Sequence, residues 1–446
     1  MKVLIYGLGR SGLPVLRLCH DQQHELLFFE ARAEGADIEE AIQLGAERIT
    51  TVAGVPCDLC IAAPGVPFDH PDLATLRSEG VETIGEIEWV YRSTENRIIG
   101  VSGTAGKSTT TLWISEAFKR AGHDAPAGGN IDPALSAVVR PGALLVAELS
   151  SFQLERSPTL RCRTAVLLNL GSDHLDRHGS LACYHAAKRR LVDNLTDEDL
   201  LVFNYDDDKV SRWASECRAD TRSFSLSRRA DACLDRNGTT LILDGTPLLD
   251  RSELSLKGDH QVANALATAL VCRHYGLSVP EIQTALRGFT GLPGRYSEVR
   301  TLGGISFIED SIATRELAVR AALHTTQPPI VWIGGGADKG ADPSSLRSLI
   351  LEKVTLFIGI GASGAQLADA VKDWTEVFVC PQRSGEAALR CAVTAATSHL
   401  QNHHKGRGTV LLAPLAASFD QFNDYAHRAA VFRQTVELQE RQWTHS

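Results

Sequence analysis

No stretch of this sequence runs to eighteen apolar residues, so no helix is expected to cross a bilayer and no membrane partner is expected. Basic residues are in deficit: 45 Lys and Arg against 54 Asp and Glu give a formal net charge of −9. The basic stripe of a nucleic-acid binder is therefore missing, and no nucleic-acid partner is expected. The opening residues, MKVLIYGLGRSG, lack the long apolar stretch and the small-residue cleavage site of a secretion signal. They read as a strand entering a glycine loop. Zinc-finger spacing is missing as well. The ten cysteines are scattered, and the single C-x-x-C, Cys57 to Cys60, has no second pair to complete a tetrahedral site. Reduced, mostly buried thiols in a cytoplasmic protein are the expectation. Internal repeats and low-complexity tracts are also absent.

What is present is an ordinary globular composition, 43% hydrophobic and 22% charged, over 446 residues. That length suits about three domains at ~150 residues each. Short apolar runs alternate with helical patterns throughout, which predicts an α/β fold layered on parallel sheets. The blocks fall at 1–93, 94–290 and 291–446. The first opens with Val3-Leu4-Ile5-Tyr6 and contains Leu26-Leu27-Phe28-Phe29. The second holds strand candidates at 98–101, 143–147, 164–168 and 200–203. Its stretch DRNGTTLILDGTPLL, 235–249, carries Asn-Gly and Asp-Gly turns that predict a small antiparallel piece. The third places strands at 330–333, 355–358 and 409–412, each running into a loop of small residues: GGGADKGAD, GIGASG and APLAAS. Ligands of open α/β sheets bind beyond the carboxyl ends of strands, so chemistry is expected in those loops.

The strongest motif is GVSGTAGKSTTT, residues 100–111, between an apolar strand and a helical pattern. The amides of Gly103, Thr104, Ala105 and Gly106, with the helix N-terminus, form an anion nest. Lys107 places a cation at the β- and γ-phosphates, and the hydroxyl of Ser108 or Thr109 can ligate Mg²⁺. A strict phosphate loop carries glycine where Val101 stands, yet phosphate contact needs only the later glycines, the lysine and the hydroxyl. The N-terminal Gly7-Leu8-Gly9-Arg10-Ser11-Gly12, with Glu30 eighteen residues beyond Gly12, matches a diphosphate-binding fingerprint. Those residues leave its ligand open between NAD, a UDP-sugar and a purely structural turn. Glu148 opens ELSSFQLE after an apolar strand and is placed either for Mg²⁺ or as a helix start capped by Ser150. NLGSDHLDRHGS, 169–180, offers Asp173 and His174 as metal ligands, with Asp176, Arg177 and His178 for packing or capping. Lys188, in YHAAKRRL, reads by itself as a surface lysine.

Taken together, these stretches resemble the Mur ligase family of ATP-dependent peptide-bond-forming ligases over essentially the whole chain. The family's loop G-T-[NH]-G-K-[ST] is Gly103 to Ser108 here, with Ala105 in the Asn/His position, and this accounts for the missing first glycine. DHLDRHGS, the AAK ending at Lys188, GDHQVANALA (258–267) and GLPGR (291–295) extend the resemblance. ELSSFQLE, GLGRSG, GGADKGAD (335–342) and ASFDQF (417–422) are similar to the members that add D-glutamate to UDP-N-acetylmuramoyl-L-alanine. The resemblance implies a Rossmann-like first domain for the UDP-sugar, a P-loop parallel sheet for ATP, and a Rossmann-like third domain for the amino acid, in a monomer. It implies that Gly9, Arg10, Ser11, Arg32, Asn130 and His174 face the UDP-sugar. The loop from Gly103 to Thr109 takes the ATP phosphates, Asn264 the adenine, Arg295 the γ-phosphate and Asp310 the ribose. Ser108 and Glu148 hold one Mg²⁺, and His174 helps hold a second. Lys188 matches a lysine carboxylated by CO₂, whose carbamate turns an ammonium into an oxygen ligand that Mg²⁺ accepts. Thr314, Lys339, Ser418 and Phe422, with Tyr425 an alternative to Phe422, take the incoming amino acid. Lys107, Lys188, His174 and Arg295 form the implied catalytic set.

Two departures stand out. The family's D-S-K-A-T-N reads Asp310-Ser311-Ile312-Ala313-Thr314-Arg315, which moves the cation from 312 to 315. That leaves the identity and handedness of the amino acid open, L-glutamate included. The usual histidine of G-L-P-H-R is Gly294. A folate-polyglutamate ligase shares the core loop but usually starts near it, whereas about a hundred residues come first here. An NAD-dependent dehydrogenase would use Gly7 to Gly12 and Glu30 and leave Lys107, Glu148 and His174 idle. A nucleotide-hydrolysing switch would respond to no UDP-sugar.

Overall fold

The structure is a computed structural model that describes residues 1–291, 294, 296–337 and 342–443. It divides into two units, Met1–Phe289 and Thr290–Ser446. The first unit carries two sheets and the second carries one.

The apolar runs punctuated by glycine turns form the first sheet: β1 (Lys2–Tyr6), β2 (Glu25–Phe29), β3 (Glu47–Ile49), β4 (Leu59–Ala62) and β5 (Glu82–Ile84). All pairings are parallel and the order is β3-β2-β1-β4-β5. Val3 to Tyr6 are buried on both faces, as a central parallel strand requires. Strand order reverses between β1 and β4. The loops following those two strands, 7–12 and 63–67, therefore flank the crevice where such sheets take ligands.

The second sheet comprises β6 (Ile98–Ser102), β7 (Ala127–Gly129), β8 (Leu145–Glu148), β9 (Thr164–Leu167), β10 (Leu200–Asn204), β11 (Asp220–Ser225), β12 (Ala232–Leu234), β13 (Thr240–Leu243) and β14 (Thr246–Asp250). Its order is β14-β13-β12-β11-β10-β9-β6-β8-β7, parallel up to β12 and antiparallel beyond it. The predicted antiparallel piece is this β12–β14 extension. Asp244 and Gly245 join β13 to β14 with φ of 53° and 76°, the conformation that selects Asp-Gly in two-residue hairpins. The helix Lys107–Arg120 packs against Asp259–His274, whose face from Ala265 to Cys272 is buried throughout. Trp113 stacks on Phe289 at 4.8 Å between centroids and seals this side of the core.

In the second unit, β15 (Ser297–Leu302), β16 (Ile305–Glu309), β17 (Ile330–Gly334), β18 (Val354–Gly359), β19 (Glu376–Val379) and β20 (Gly408–Leu412) lie in the order β15-β16-β20-β17-β18-β19. Only the β15–β16 pair is antiparallel. Two apolar clusters cover the two faces, one around Phe307, Leu389 and Phe432, the other around Trp332, Ile350 and Phe357. Among the described residues no helix is long and apolar enough to cross a membrane.

Candidate active site

Strand β6 delivers the chain into the glycine loop, and the backbone there adopts what only glycine tolerates. Gly103 has φ of 157°, and Gly106 sits in the left-handed region at 85° immediately before the helix. A side chain at Gly106 would place its Cβ 2.6 Å from Asn264 Oδ1. Asn264 is buried and also donates to Gln261 Oε1 at 3.1 Å. The loop is buttressed from the next strand end. Asn169 accepts from the Ala105 amide at 2.8 Å and donates to the Ala105 carbonyl at 3.1 Å, while its own carbonyl accepts from Thr104 N at 3.0 Å. Thr104 Oγ1 accepts from Gly171 N at 2.8 Å. Position 105 is thus held through its backbone, which an alanine supplies as well as any residue. Lys107 folds back on the loop, donating to the Thr104 carbonyl at 3.0 Å. Ser108 is buried and Thr109 half-buried.

Beside β6, strand β8 ends on Glu148, which is 1% exposed. Its Oε1 accepts from Asn130 Nδ2 at 2.7 Å, and its Oε2 is buried without a hydrogen-bond partner. Gly129, paired with Glu148 in the β7–β8 register, brings the two backbones together so closely that a Cβ there would sit 2.4 Å from Glu148 O. One buried carboxylate oxygen left over is a donor of the hard kind Mg²⁺ prefers. No three His, Cys, Asp or Glu side chains converge to hold a metal among the described residues.

Lys188, on helix Leu181–Asp193, is not the surface lysine its helix alone suggests. It is 1% exposed, and its Nζ donates to Gly103 O at 2.8 Å, with Ser102 Oγ at 3.4 Å and the Tyr184 ring centroid at 5.0 Å. Burial, seconded by the charge of Lys107, lowers its pKa to about 7. His174 takes a left-handed φ of 52° at the start of the turn Leu175–His178. Its Nε2 lies 3.3 Å from Asp173 Oδ2 and its ring 4.7 Å from Phe152. His178 contacts Ser151 Oγ through Nε2 at 2.9 Å. Ser150 caps the short helix Ser151–Leu154 in a reciprocal box with Gln153, as the capping reading of ELSSFQLE expects.

At the front sheet, Gly7 has φ of 87°, and Gly12 approaches it so closely that a Cβ would lie 2.0 Å from Gly7 O. Helix Gly9–Asp21 starts there, with Ser11 buried. The Glu30 carboxylate accepts from the Leu8 amide at 3.1 Å and pairs with Arg32 Nε at 3.1 Å, and Arg32 continues to Asp37. Arg32, first, and these amides hold the Glu30 carboxyl below its ordinary range. Arg10 donates to the Asn130 carbonyl at 2.9 Å, so Asn130 faces the front loop with its backbone and Glu148 with its side chain. Sequence reasoning missed Arg156. Its buried guanidinium donates to the carbonyls of Ala63, Val66 and Pro67 at 2.7–3.0 Å and fixes the loop after β4. Burial lowers its pKa to about 10.

The second unit gathers its small-residue loops around Arg428, another residue without a sequence signal. Fully buried, Arg428 donates to Ser311 Oγ and Ser311 O at 2.8 Å each, and to Ala416 O at 3.2 Å. It joins the loop after β16, which carries Asp310 and Thr314, to the loop after β20, which carries Ser418 and Phe422. Asp310 Oδ1 accepts from Tyr296 N at 3.1 Å. Ser418 is buried, Phe422 is nearly so, and Tyr425 is exposed. Arg295 and Lys339 lie outside the described residues.

Residues 101–272 match the Mur ligase middle domain. A UDP-N-acetylmuramoylalanine–D-glutamate ligase of Thermus thermophilus is 43% identical over 97% of this chain and 96% of its own length. One of the same name from Deinococcus radiodurans is 40% identical over 98% of this chain and 92% of its own. The chain belongs to the Mur ligase family. This Mur ligase also shares its fold with the UDP-N-acetylmuramate–alanine ligase of Thermotoga maritima, with a TM-score of 0.61 at 19% identity over 98% of this chain and 100% of that one. Enzymes of the family are ATP-dependent ligases that use Mg²⁺. Among the implied residues, the first unit brings Gly103 to Ser108, Lys188 and Asn264 together around the loop, and Arg10, Asn130 and Glu148 into one hydrogen-bonded row.

Proposed function

We propose that this Mur ligase adds D-glutamate to UDP-N-acetylmuramoyl-L-alanine, splitting ATP to ADP and phosphate, in the cytoplasmic synthesis of peptidoglycan precursors. Residues 1–93 take the UDP-sugar, 94–290 the ATP and 291–446 the amino acid, in a monomer. The relatives' names at 43% and 40% identity over nearly the whole chain support the substrates. The observation that carries the chemistry is the phosphate loop flanked by a buried, half-free carboxylate, Glu148, and a buried lysine, Lys188.

A carboxylate is a poor electrophile, so the alanyl carboxylate oxygen first attacks the γ-phosphorus, releasing ADP and giving an acyl phosphate. Lys107 and Arg295 offset charge on the transferring group. Mg²⁺, when held by Glu148 Oε2 and Ser108 with His174 near a second ion, supplies further charge neutralisation. The amino group of the second substrate attacks the acyl carbon. The tetrahedral intermediate loses a proton from nitrogen and expels phosphate. Gly9, Arg10, Ser11, Arg32 and Asn130 orient the UDP-sugar, and Thr314, Lys339, Ser418 and Phe422 bind the amino acid. Asn264 and Asp310 hold the nucleoside. Lys188 is carboxylated: its neutral amine adds CO₂ and releases a proton, and a pKa of about 7 keeps much of it neutral. With Ile312 in place of a lysine, the amino acid is the part of this reading to test first. Phosphate release is measured with ATP, UDP-N-acetylmuramoyl-L-alanine and a panel of D- and L-amino acids. D-Glutamate is expected to stimulate it most, and stimulation by L-glutamate alone would overturn the assignment.

A further inference from the structure

In the second unit, the sulfurs of Cys380 and Cys391 lie 2.9 Å apart, the one sulfur–sulfur hydrogen bond among the described residues. Cys380 follows edge strand β19 and is buried. Cys391 stands on helix Gly385–His404 and is half-buried. Cys391 lines a surface cavity of about 730 Å³ together with Gln382, Ser384, Arg390 and Thr394. One thiol of the pair is therefore reachable by a small solute, while its neighbour waits behind it. Separation by eleven positions makes the closed ring short. The ring spans the turn 381–384, whose carbonyls at Gln382 and Arg383 accept from Gln421 Nε2 at 3.2 and 3.1 Å.

We propose that Cys380 and Cys391 are a reversible redox pair that hydrogen peroxide converts to a disulfide. The Cys391 sulfur, as thiolate, attacks one peroxide oxygen. The O–O bond breaks, the leaving oxygen takes a proton and departs as water, and a sulfenic acid remains on Cys391. The Cys380 sulfur then attacks the sulfenic sulfur, the S–O bond breaks, and a second water leaves. Two thiols are oxidised and one peroxide is reduced. A small dithiol reverses the step by exchange. Burial, and then the hydrogen bond it donates to Cys391, push the Cys380 thiol up, which suits it to be the second sulfur to act rather than the first. In a reducing compartment such a bond is transient, as expected of a sensing or protective pair rather than a structural one. The inference is independent of the ligase reading.

The test treats the full-length protein with hydrogen peroxide at a dose that oxidises the exposed Cys183, then alkylates it, digests it with trypsin and reads masses. Cleavage after Lys372, Arg383, Arg390 and Lys405 puts the two cysteines in separate peptides. The expected result is a cross-link between the 373–383 and 391–405 peptides, lighter by ~2 Da than their sum and released by dithiothreitol. Cys391→Ser, at the half-buried position, removes the cross-link. Oxidation also raises the melting midpoint of wild type, by roughly 5 °C, and leaves that of Cys391→Ser unmoved. Recovery of both peptides as free thiols, or of Cys391 as sulfinic acid, while Cys183 is oxidised would overturn the pair.

Discussion

Asn130 donates to Glu148 Oε1 at 2.7 Å while its own backbone carbonyl accepts from Arg10, so a single residue spans the front glycine loop and the buried carboxylate of the second sheet. Glu148 is left with one oxygen committed and one open. Asn130→Ala should leave both carboxylate oxygens buried and unaimed. The expected outcome is a rise of about tenfold or more in the Mg²⁺ needed for half-maximal phosphate release, with a stability loss of ~1–3 kcal/mol. A magnesium titration checks this. An unchanged titration would mean that Asn130 does not orient the carboxylate.

Asn169 holds the apex of the phosphate loop by two hydrogen bonds to Ala105. In Asn169→Ala the apex loses both, each worth ~1 kcal/mol. The KM for ATP is expected to rise about tenfold, with kcat changed less, in steady-state kinetics at saturating co-substrates.

Gly106→Ala forces a side chain into left-handed backbone and against Asn264 Oδ1. The strain is of order 1–3 kcal/mol. Calorimetric titration with ADP should then find binding weakened by about tenfold or more.

Glu86 provides a pH dependence. It is buried, with Oε1 accepting from Ser136 N and Oγ at 2.8 and 2.9 Å and Oε2 unpartnered. Burial, opposed by the Ser136 hydrogen bonds, raises its pKa to about 7. Between the unfolded value near 4.5 and 7 the folded chain binds the extra proton, so this group's contribution to stability falls as pH rises through that window. Glu86→Gln removes the ionisation. Relative to wild type it should gain about 1–3 kcal/mol at pH 8 and nothing at pH 4.5, read from denaturation midpoints at the two pH values.

How much of this was legible in the sequence follows from where the information lies. Gly103 to Ser108 and Gly7 to Gly12 are contiguous, and a strand before and a helix after each loop announce them. The central strands β1, β6, β9, β17 and β20 are mostly apolar and almost wholly buried because both of their faces are covered. Strand β7 is Ala-Gly-Gly and carries no apolar signature, whereas β19 carries the apolar Val377-Phe378-Val379 although it lies exposed at a sheet edge. The Asn130–Glu148 bond depends on the register of two neighbouring strands. Arg156 reaches carbonyls about ninety positions away, and Arg428 reaches Ser311 across more than a hundred. Backbone carbonyls have no identity in a sequence, so the residues that hold them leave no motif. Lys188 shows the same limit from the other side: its helix predicts exposure, and only packing reveals a buried amine beside Gly103.

The central claim is that the loop after β6 activates the carboxylate carried by the UDP-sugar. UDP-N-acetylmuramoyl-L-alanine labelled with oxygen-18 in its alanyl carboxylate, incubated with ATP, Mg²⁺ and D-glutamate, tests it most directly. The account predicts that each phosphate released carries one labelled oxygen, and that Lys107→Ala releases almost none while remaining folded. Phosphate released without the label, or at the same rate without the UDP-sugar, would contradict it.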